Sequence, residues 1–183
     1  LTINAGDGED SIYIDTRTTS AIVRISDATA GHTTVLLGND SDTLNLTATS
    51  GTFINTVYDL GEGDNSLSLS NKTGKALDNV TLKVGSGTNK VSVGSGYTDD
   101  VLTIDGNITG GGSTISLAAG NDSLTLKNGT YSSSLTINMG DGADTLTLAG
   151  NNAITTTSTG KAAVLTGGAG TDVLQAAGLL ADV

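Results

Sequence analysis

The chain of 183 residues contains no cysteine, no proline and no tryptophan. Without cysteine it can form no disulfide, no thiolate zinc site and no cysteine nucleophile. Basic residues are scarce as well, since 8 Lys and Arg stand against 19 Asp and Glu, for a formal net charge of -11. Such a surface would repel nucleic-acid phosphates and anionic lipid headgroups. We therefore predict no nucleic-acid partner, and no membrane insertion, because no apolar run approaches the roughly 18 residues of a spanning helix.

Residues that would support catalysis are also few. His32 is the only histidine, and no motif places a nucleophile beside it. Acidic groups such as Asp99 and Asp100 invite comparison with solenoid enzymes that act on polysaccharides, because glycoside hydrolysis uses paired acids. However, one Phe and four Tyr are too few for a sugar-stacking platform. We predict that the chain is not an enzyme.

Glycine and alternating apolar residues are what the chain has in abundance. It contains 26 glycines, and 36% of its residues are hydrophobic. Apolar and polar residues alternate in segments such as 67–69, 124–126, 135–137 and 146–148, which indicates half-buried strands and argues against a disordered linker. The intervening residues are often threonine, whose branched side chain favours extended backbone.

A single phrase recurs along the chain, apolar-x-apolar-Gly-x-Gly-x-Asp/Asn-x-apolar-x-apolar. Four copies are complete and three are imperfect. The complete copies cover residues 3–14, 58–69, 82–93 and 137–148, and the imperfect ones cover 35–46, 115–126 and 165–176. The Asp or Asn anchors are spaced by as little as 22 residues, from Asp122 to Asp144, and by as much as 33, from Asn89 to Asp122. The shortest spacing accommodates a strand, a loop near 128–132 and a second strand, while longer spacings add strands at 21–25 and 101–104 and a polar bulge at 151–160.

This repeat predicts an all-β fold, a right-handed parallel β-solenoid with Gly-x-Gly-x-Asp turns. Each coil would stack on the last, and inward residues would form apolar columns. We interpret residues 1–183 as one solenoid segment of a longer protein. A sandwich or an up-and-down barrel is the alternative, since alternating strands with glycine-rich turns also suit those folds.

The turns offer oxygen ligands for a cation. Two glycines around one residue allow positive φ and direct carbonyl groups toward a common point, and the aspartate adds a carboxylate, so stacked turns group the hard oxygens that Ca²⁺ prefers. The alternative is a metal-free turn in which the aspartate accepts backbone amide hydrogens. Asn65 and Asn89 lack the charge, which predicts a metal-free middle of the ladder. The predicted metal ligands are Asp10, Asp42, Asp122, Asp144 and Asp172, with Gly6, Gly8, Gly140, Gly142, Gly168 and Gly170.

The sequence resembles the RTX repeat proteins, whose nonapeptide reads G-G-x-G-x-D-x-apolar-x. Residues 167–175 fit this pattern fully, and residues 139–147 and 5–13 fit it at all but the first glycine. The resemblance implies a calcium-binding parallel β-roll in a secreted bacterial protein. Because one phrase occurs per coil instead of a tandem run, the chain looks more like a surface-layer protein or a large adhesin.

We therefore hypothesise a structural or adhesive, calcium-binding solenoid segment of a secreted protein at the bacterial cell surface. Its expected partners are other copies or segments of the same surface protein and cell-surface glycans. The alternative is a polysaccharide-binding or polysaccharide-degrading β-helix. The polar positions beside the phrase are too irregular to predict a flat threonine array for ice or crystalline carbohydrate.

Overall fold

The computed structural model describes residues 2–3, 8–9, 22–26, 30–31, 34–48, 53–71, 77–96, 98–132, 134–155 and 164–176. In chain order, the strands of the first half are β1 (Thr2–Ile3), β2 (Gly8–Glu9), β3 (Ile22–Ser26), β4 (Ala30–Gly31), β5 (Thr34–Leu36), β6 (Thr43–Ala48), β7 (Phe53–Ile54), β8 (Val57–Asp59), β9 (Ser66–Asn71), β10 (Leu77–Asp78) and β11 (Val80–Gly85). They are followed by β12 (Lys90–Gly94), β13 (Val101–Gly106), β14 (Thr114–Ser116), β15 (Ser123–Lys127), β16 (Thr130–Ser132), β17 (Thr136–Asn138), β18 (Thr145–Ala149), β19 (Ala153–Thr155), β20 (Val164–Thr166) and β21 (Val173–Ala176).

These strands form stacked parallel sheets. An eight-stranded sheet has the order β1-β3-β6-β9-β12-β14-β17-β20, and a seven-stranded sheet has the order β21-β18-β15-β13-β11-β8-β5. Two smaller sheets, β10-β7-β4-β2 and β16-β19, lie in the connections between them. Every pairing among these strands is parallel, for example β15 with β18. The predicted right-handed parallel β-solenoid is confirmed, and the sandwich and barrel alternatives are wrong.

The core lies between the two large sheets and is built from in-register apolar columns. In the seven-stranded sheet Leu82, Ile104 and Leu126 pair coil to coil, and in the eight-stranded sheet Val93 pairs with Ile115. All five side chains are at most 2% exposed. Each fully buried aliphatic side chain contributes roughly 1.5–3 kcal/mol, so the alternation read from the sequence supplies the main stabilising contact between coils.

The two large sheets meet at two edges, which we name by the direction of the chain. At the first edge the chain passes from the seven-stranded to the eight-stranded sheet, and at the second edge it passes back. The phrase occupies the first edge in 35–46, 58–69 and 82–93, but the second edge in 115–126, 137–148 and 165–176. The 33-residue step from Asn89 to Asp122 is therefore one coil plus half a coil, and the prediction of a single stack of phrases is wrong.

The connections differ from the sequence-based expectation in other ways. The added strands are confirmed, because β13 covers 101–104 and β3 covers 22–25, whereas Ala21 lies outside the described residues. The predicted loop at 128–132 contains β16, and the first half of the predicted bulge at 151–160 contains β19, which pairs with β16. Residues 156–160 lie outside the described residues. Asn152 in that segment is buried. Both connections thus add a short third sheet where we expected loops.

The outward face of the seven-stranded sheet is more regular than predicted. Thr81, Thr103, Thr125 and Thr147 are in register on four successive strands. The sequence analysis missed this column because Thr81 and Thr103 lie outside the copies of the phrase, whereas Thr125 and Thr147 lie within them. No helix in the described part of the chain has the length and apolar character needed to cross a membrane.

Candidate metal centre

A column of stacked aspartates follows the second edge. Each member lies directly before a strand of the seven-stranded sheet, and its Oδ1 accepts a backbone N–H from the preceding coil. The hydrogen bonds run from Leu77 N–H to Asp100 Oδ1 (2.6 Å), from Asp100 N–H to Asp122 Oδ1 (2.9 Å), from Asp122 N–H to Asp144 Oδ1 (2.8 Å) and from Asp144 N–H to Asp172 Oδ1 (3.3 Å). We call these four aspartates the aspartate column. Asp100, Asp122 and Asp144 are at most 2% exposed, whereas Asp172 in the last described coil is exposed.

The first edge carries a related column that consists mainly of asparagine. The N–H of Asp42 donates to Oδ1 of Asn65, and the N–H of Asn65 donates to Oδ1 of Asn89, each at 2.9 Å. Asn65 and Asn89 are also buried. We call this set the asparagine column. The cross-coil hydrogen bond through Oδ1 is therefore common to both edges and does not depend on the charge of the side chain.

The second polar atom of the side chain distinguishes Asn65 and Asn89 from the members of the aspartate column. The Nδ2 of Asn65 lies 3.3–3.4 Å from the carbonyl oxygens of residues 61–63 in its own turn. The Nδ2 of Asn89 donates to the carbonyl oxygens of Gly87 at 3.2 Å and Asn107 at 3.0 Å. An N–H donor thus fills the position that faces the turn carbonyls.

An aspartate has no donor to offer at this position. The Oδ2 atoms of Asp122 and Asp144 are buried and have no hydrogen-bond partner, whereas Oδ2 of Asp100 accepts the hydroxyl of Ser95. An unsatisfied buried oxygen costs about 1–3 kcal/mol, and more when it is charged. Two positions in the aspartate column therefore lack the donor that the amide supplies at Asn65 and Asn89 and that a hydroxyl supplies at Asp100.

The electrostatics of the column favour a positive charge at these positions. Burial raises the pKa of Asp122 from its usual 3.8 to about 7; the N–H of Asp100 opposes this shift, and the carboxylates of Asp100 and Asp144 add to it. Burial also raises the pKa of Asp100, although the hydroxyl of Ser95 acts against it. Near neutral pH the buried column therefore gains stability from either a bound proton or a bound cation.

The glycines of the second edge are required by the stacking of the coils. Gly140 and Gly142 have φ of 105° and 151°, and a Cβ on Gly140 would lie 1.7 Å from the carbonyl oxygen of Ala118 in the preceding coil. Ala118 itself has φ of 64° and leaves Asp122 buried, so an alanine at the first glycine position does not open that turn. The close approach of neighbouring coils was not part of the sequence-based explanation of these glycines.

The structure brings together most of the predicted ligands and separates others. Asp122, Asp144 and Asp172 share the second edge with the predicted glycines 140, 142, 168 and 170, but Asp42 lies at the first edge in the asparagine column. Gly8 lies in β2, and Asp10 and Gly6 lie outside the described residues.

Asp100 was missed as a member of the column because its turn, Gly96 to Asp100, has a threonine at the second glycine position. Its spacing of 22 residues from Asp122 is the signal that could have identified it. Its two carboxylate oxygens accept hydrogen bonds from the N–H of Leu77 and the hydroxyl of Ser95.

The residues present fit a cation that accepts carbonyl ligands. Among the described residues no three acidic, histidine or cysteine side chains converge on one point, so a cation here would be held by one or two carboxylates together with turn carbonyls. Ca²⁺ accepts such a mixture, whereas Zn²⁺ in proteins prefers nitrogen and sulfur ligands. No protein-family model, curated protein or solved structure matches the chain.

Proposed function

We propose that this solenoid is a Ca²⁺-stabilised structural or adhesive segment of a secreted, RTX-like protein at the bacterial cell surface, such as a surface-layer protein or a large adhesin. The observation that supports the proposal is the pair of buried, unpartnered Oδ2 atoms of Asp122 and Asp144. The function is mechanical and not catalytic, and the partners are other copies or segments of the same surface protein.

The residues that would hold Ca²⁺ are Asp122 and Asp144, with carbonyl oxygens of the turns at 117–122 and 139–144. When bound, the cation supplies the positive charge that Nδ2 supplies in the asparagine column. Because these ligands come from successive coils, they are close together only in the folded chain. Binding is then coupled to folding, and it stabilises the stack of coils against separation. A weak site would suffice in an extracellular module, where Ca²⁺ dissociation constants of about 10⁻⁴ to 10⁻³ M are common.

The experiment is thermal unfolding followed by circular dichroism, in EGTA, in excess Ca²⁺ and in excess Mg²⁺. A ligand at about 100 times its dissociation constant stabilises the folded state by about 2.7 kcal/mol. For a domain of this size that corresponds to a rise in Tm of roughly 5–11 °C. We expect this rise with Ca²⁺ and a much smaller one with Mg²⁺, which prefers near-ideal octahedral coordination. An identical Tm in all three conditions would refute the calcium proposal and leave a metal-free scaffold in which Asp122 holds a proton.

A further inference from the structure

A polar groove of about 410 Å³ follows the first edge beside the seven-stranded sheet. Its floor is made by Gly61, Gly85 and Gly106 on three successive coils, with φ of 69°, 68° and 120°. A Cβ on Gly85 would lie 2.0 Å from the carbonyl oxygen of Gly61. The floor therefore consists of backbone with no side chains, and we call the depression the first-edge groove.

One wall of the groove alternates in charge along the solenoid axis. Asp59, Lys83, Asp105 and Lys127 occupy the same register position on four successive strands. Lys83 Nζ lies 3.4 Å from Asp59 Oδ2, and Lys127 Nζ lies 3.7 Å from Asp105 Oδ2, with each side chain 28–48% exposed. Asp59, Lys83 and Asp105 line the groove, so this wall offers an acceptor on one coil and a donor on the next. Together with Glu62, the lining carries three carboxylates and one ammonium group.

The opposite wall is formed by Glu62, Ser86 and Asn107, and hydrogen bonds between coils hold it in place. Both the N–H, at 3.1 Å, and the hydroxyl of Ser86 donate to Oε2 of Glu62. The Nδ2 of Asn107 donates to the carbonyl of Ser86 at 2.6 Å, and its Oδ1 accepts the N–H of Thr130 at 2.8 Å. These side chains are therefore ordered before any ligand binds, which reduces the entropy lost on binding.

We propose that the first-edge groove binds a neutral polysaccharide chain that lies along the solenoid axis. Its volume is within the range of roughly 300–1,000 Å³ for small-ligand sites. Sugar hydroxyls both donate and accept, so a neutral chain can pair with the aspartates and the lysines in turn. A polyanion would instead meet the carboxylates of Asp59, Glu62 and Asp105, which is unfavourable.

The surface next to the groove has the same polar character. Three members of the threonine column, Thr81, Thr103 and Thr125, lie two residues before Lys83, Asp105 and Lys127 on the same strands and face outward with them. It extends the hydroxyl-bearing surface beyond the groove wall. The groove lies at the first edge and the aspartate column at the second, so this inference and the calcium proposal stand on different residues.

The test is isothermal titration of the folded chain with soluble, neutral glucan, mannan and galactan oligosaccharides, and with an acidic and a cationic polysaccharide for comparison. We expect a neutral chain to bind. Ser86→Tyr, which fills the groove, and Lys83→Gln, which removes its central cation, should weaken binding about tenfold or more. Lys90→Gln, an exposed lysine on the eight-stranded sheet, is the matched control and should change affinity less than about twofold.

Three results would overturn the proposal: no binding of any neutral chain, binding that the two groove variants leave unchanged, or binding of a charged polysaccharide alone. Circular dichroism shows whether each variant is folded. If Ser86→Tyr does not fold, Lys83→Gln still tests the groove. Melting in EGTA and Ca²⁺ is measured on the same samples. Binding without a Ca²⁺ effect on Tm would refute only the calcium proposal, and a Ca²⁺ effect without binding would refute only the groove.

Discussion

Replacement of Asp122 by asparagine tests directly whether the aspartate column lacks a positive partner. Asn65 and Asn89 show that an asparagine at this position keeps the cross-coil bond through Oδ1 and donates Nδ2 to turn carbonyls. Asp122→Asn should therefore retain the hydrogen bond from Asp100. It should also replace a buried, unpartnered oxygen by a satisfied donor.

The expected gain in EGTA is the cost of an unsatisfied buried oxygen, about 1–3 kcal/mol. For a chain of this length the corresponding rise in Tm is roughly 2–12 °C. Loss of repulsion between the Asp122 carboxylate and those of Asp100 and Asp144 acts in the same direction. The measurement is thermal unfolding above the Asp122 pKa of about 7, where the wild-type side chain is ionised.

In excess Ca²⁺ the order should change, because the variant loses one carboxylate ligand. Ca²⁺ should raise the Tm of the wild type more than that of Asp122→Asn. It should raise the Tm of the double variant, Asp122→Asn with Asp144→Asn, least. Asp64→Asn is the matched control: Asp64 lies at the first edge, away from the aspartate column, is exposed, and its Oδ1 accepts the N–H of Thr88. It removes the same charge, yet it should change Tm little in either condition. A lower Tm for Asp122→Asn in EGTA, or a Ca²⁺ gain equal to that of the wild type, would refute the reasoning.

Three further predictions concern turns at the two edges. Asn65→Asp should lower the Tm in EGTA by about as much as Asp122→Asn raises it, because the substitution places a carboxylate oxygen against the carbonyl oxygens of residues 61–63. An unchanged Tm would contradict this prediction. The raised pKa of Asp122 contributes stability to the metal-free fold that is fully present below about pH 3.8, and this contribution, at most about 4 kcal/mol, is lost as the pH rises through about 7. Urea unfolding in EGTA across that range should show the free energy of unfolding decline with pH. The decline should be smaller in Asp122→Asn. Gly142→Ala should lower the free energy of unfolding in urea by about 2 kcal/mol or more, because its Cβ would lie 1.7 Å from the carbonyl oxygen of Gly120 at a φ of 151°. In the control Gly111→Ala nothing lies within 4 Å of the added carbon, so stability should change by less than about 0.5 kcal/mol. Equal effects of the two substitutions would show that coil stacking does not constrain these glycines.

The stacking of the coils could be predicted from local features of the chain. Alternation such as Leu124-Thr125-Leu126 specifies which side of a strand is buried, because successive side chains of a strand point to opposite faces. The glycines of the phrase mark the turns, and the phrase repeats at spacings that suit one coil. These features together favour a solenoid, and the parallel pairing of β15 with β18 confirms it.

The membership of the site could not be read from the same features. The phrase occurs at either edge, so Asp42 and Asp122 both occupy its anchor position in the sequence although they lie at different edges. Conversely, Asp100 belongs to the aspartate column but lacks the second glycine of the phrase. Two turns stack only when a whole number of coils separates them. That number depends on how the chain passes between the two large sheets, which the phrase alone does not specify.

The sequence by itself therefore determined the period, the buried face of each strand and the chemistry available at each turn, because these depend on residues near one another in the chain. The tertiary structure alone decided which turns are neighbours, which carboxylate oxygens are left without a donor and where backbone glycines form a groove. These properties depend on contacts between residues about one coil apart. The additional half coil between Asn89 and Asp122 places every later copy of the phrase at the opposite edge, and so it changes which anchor residues are neighbours.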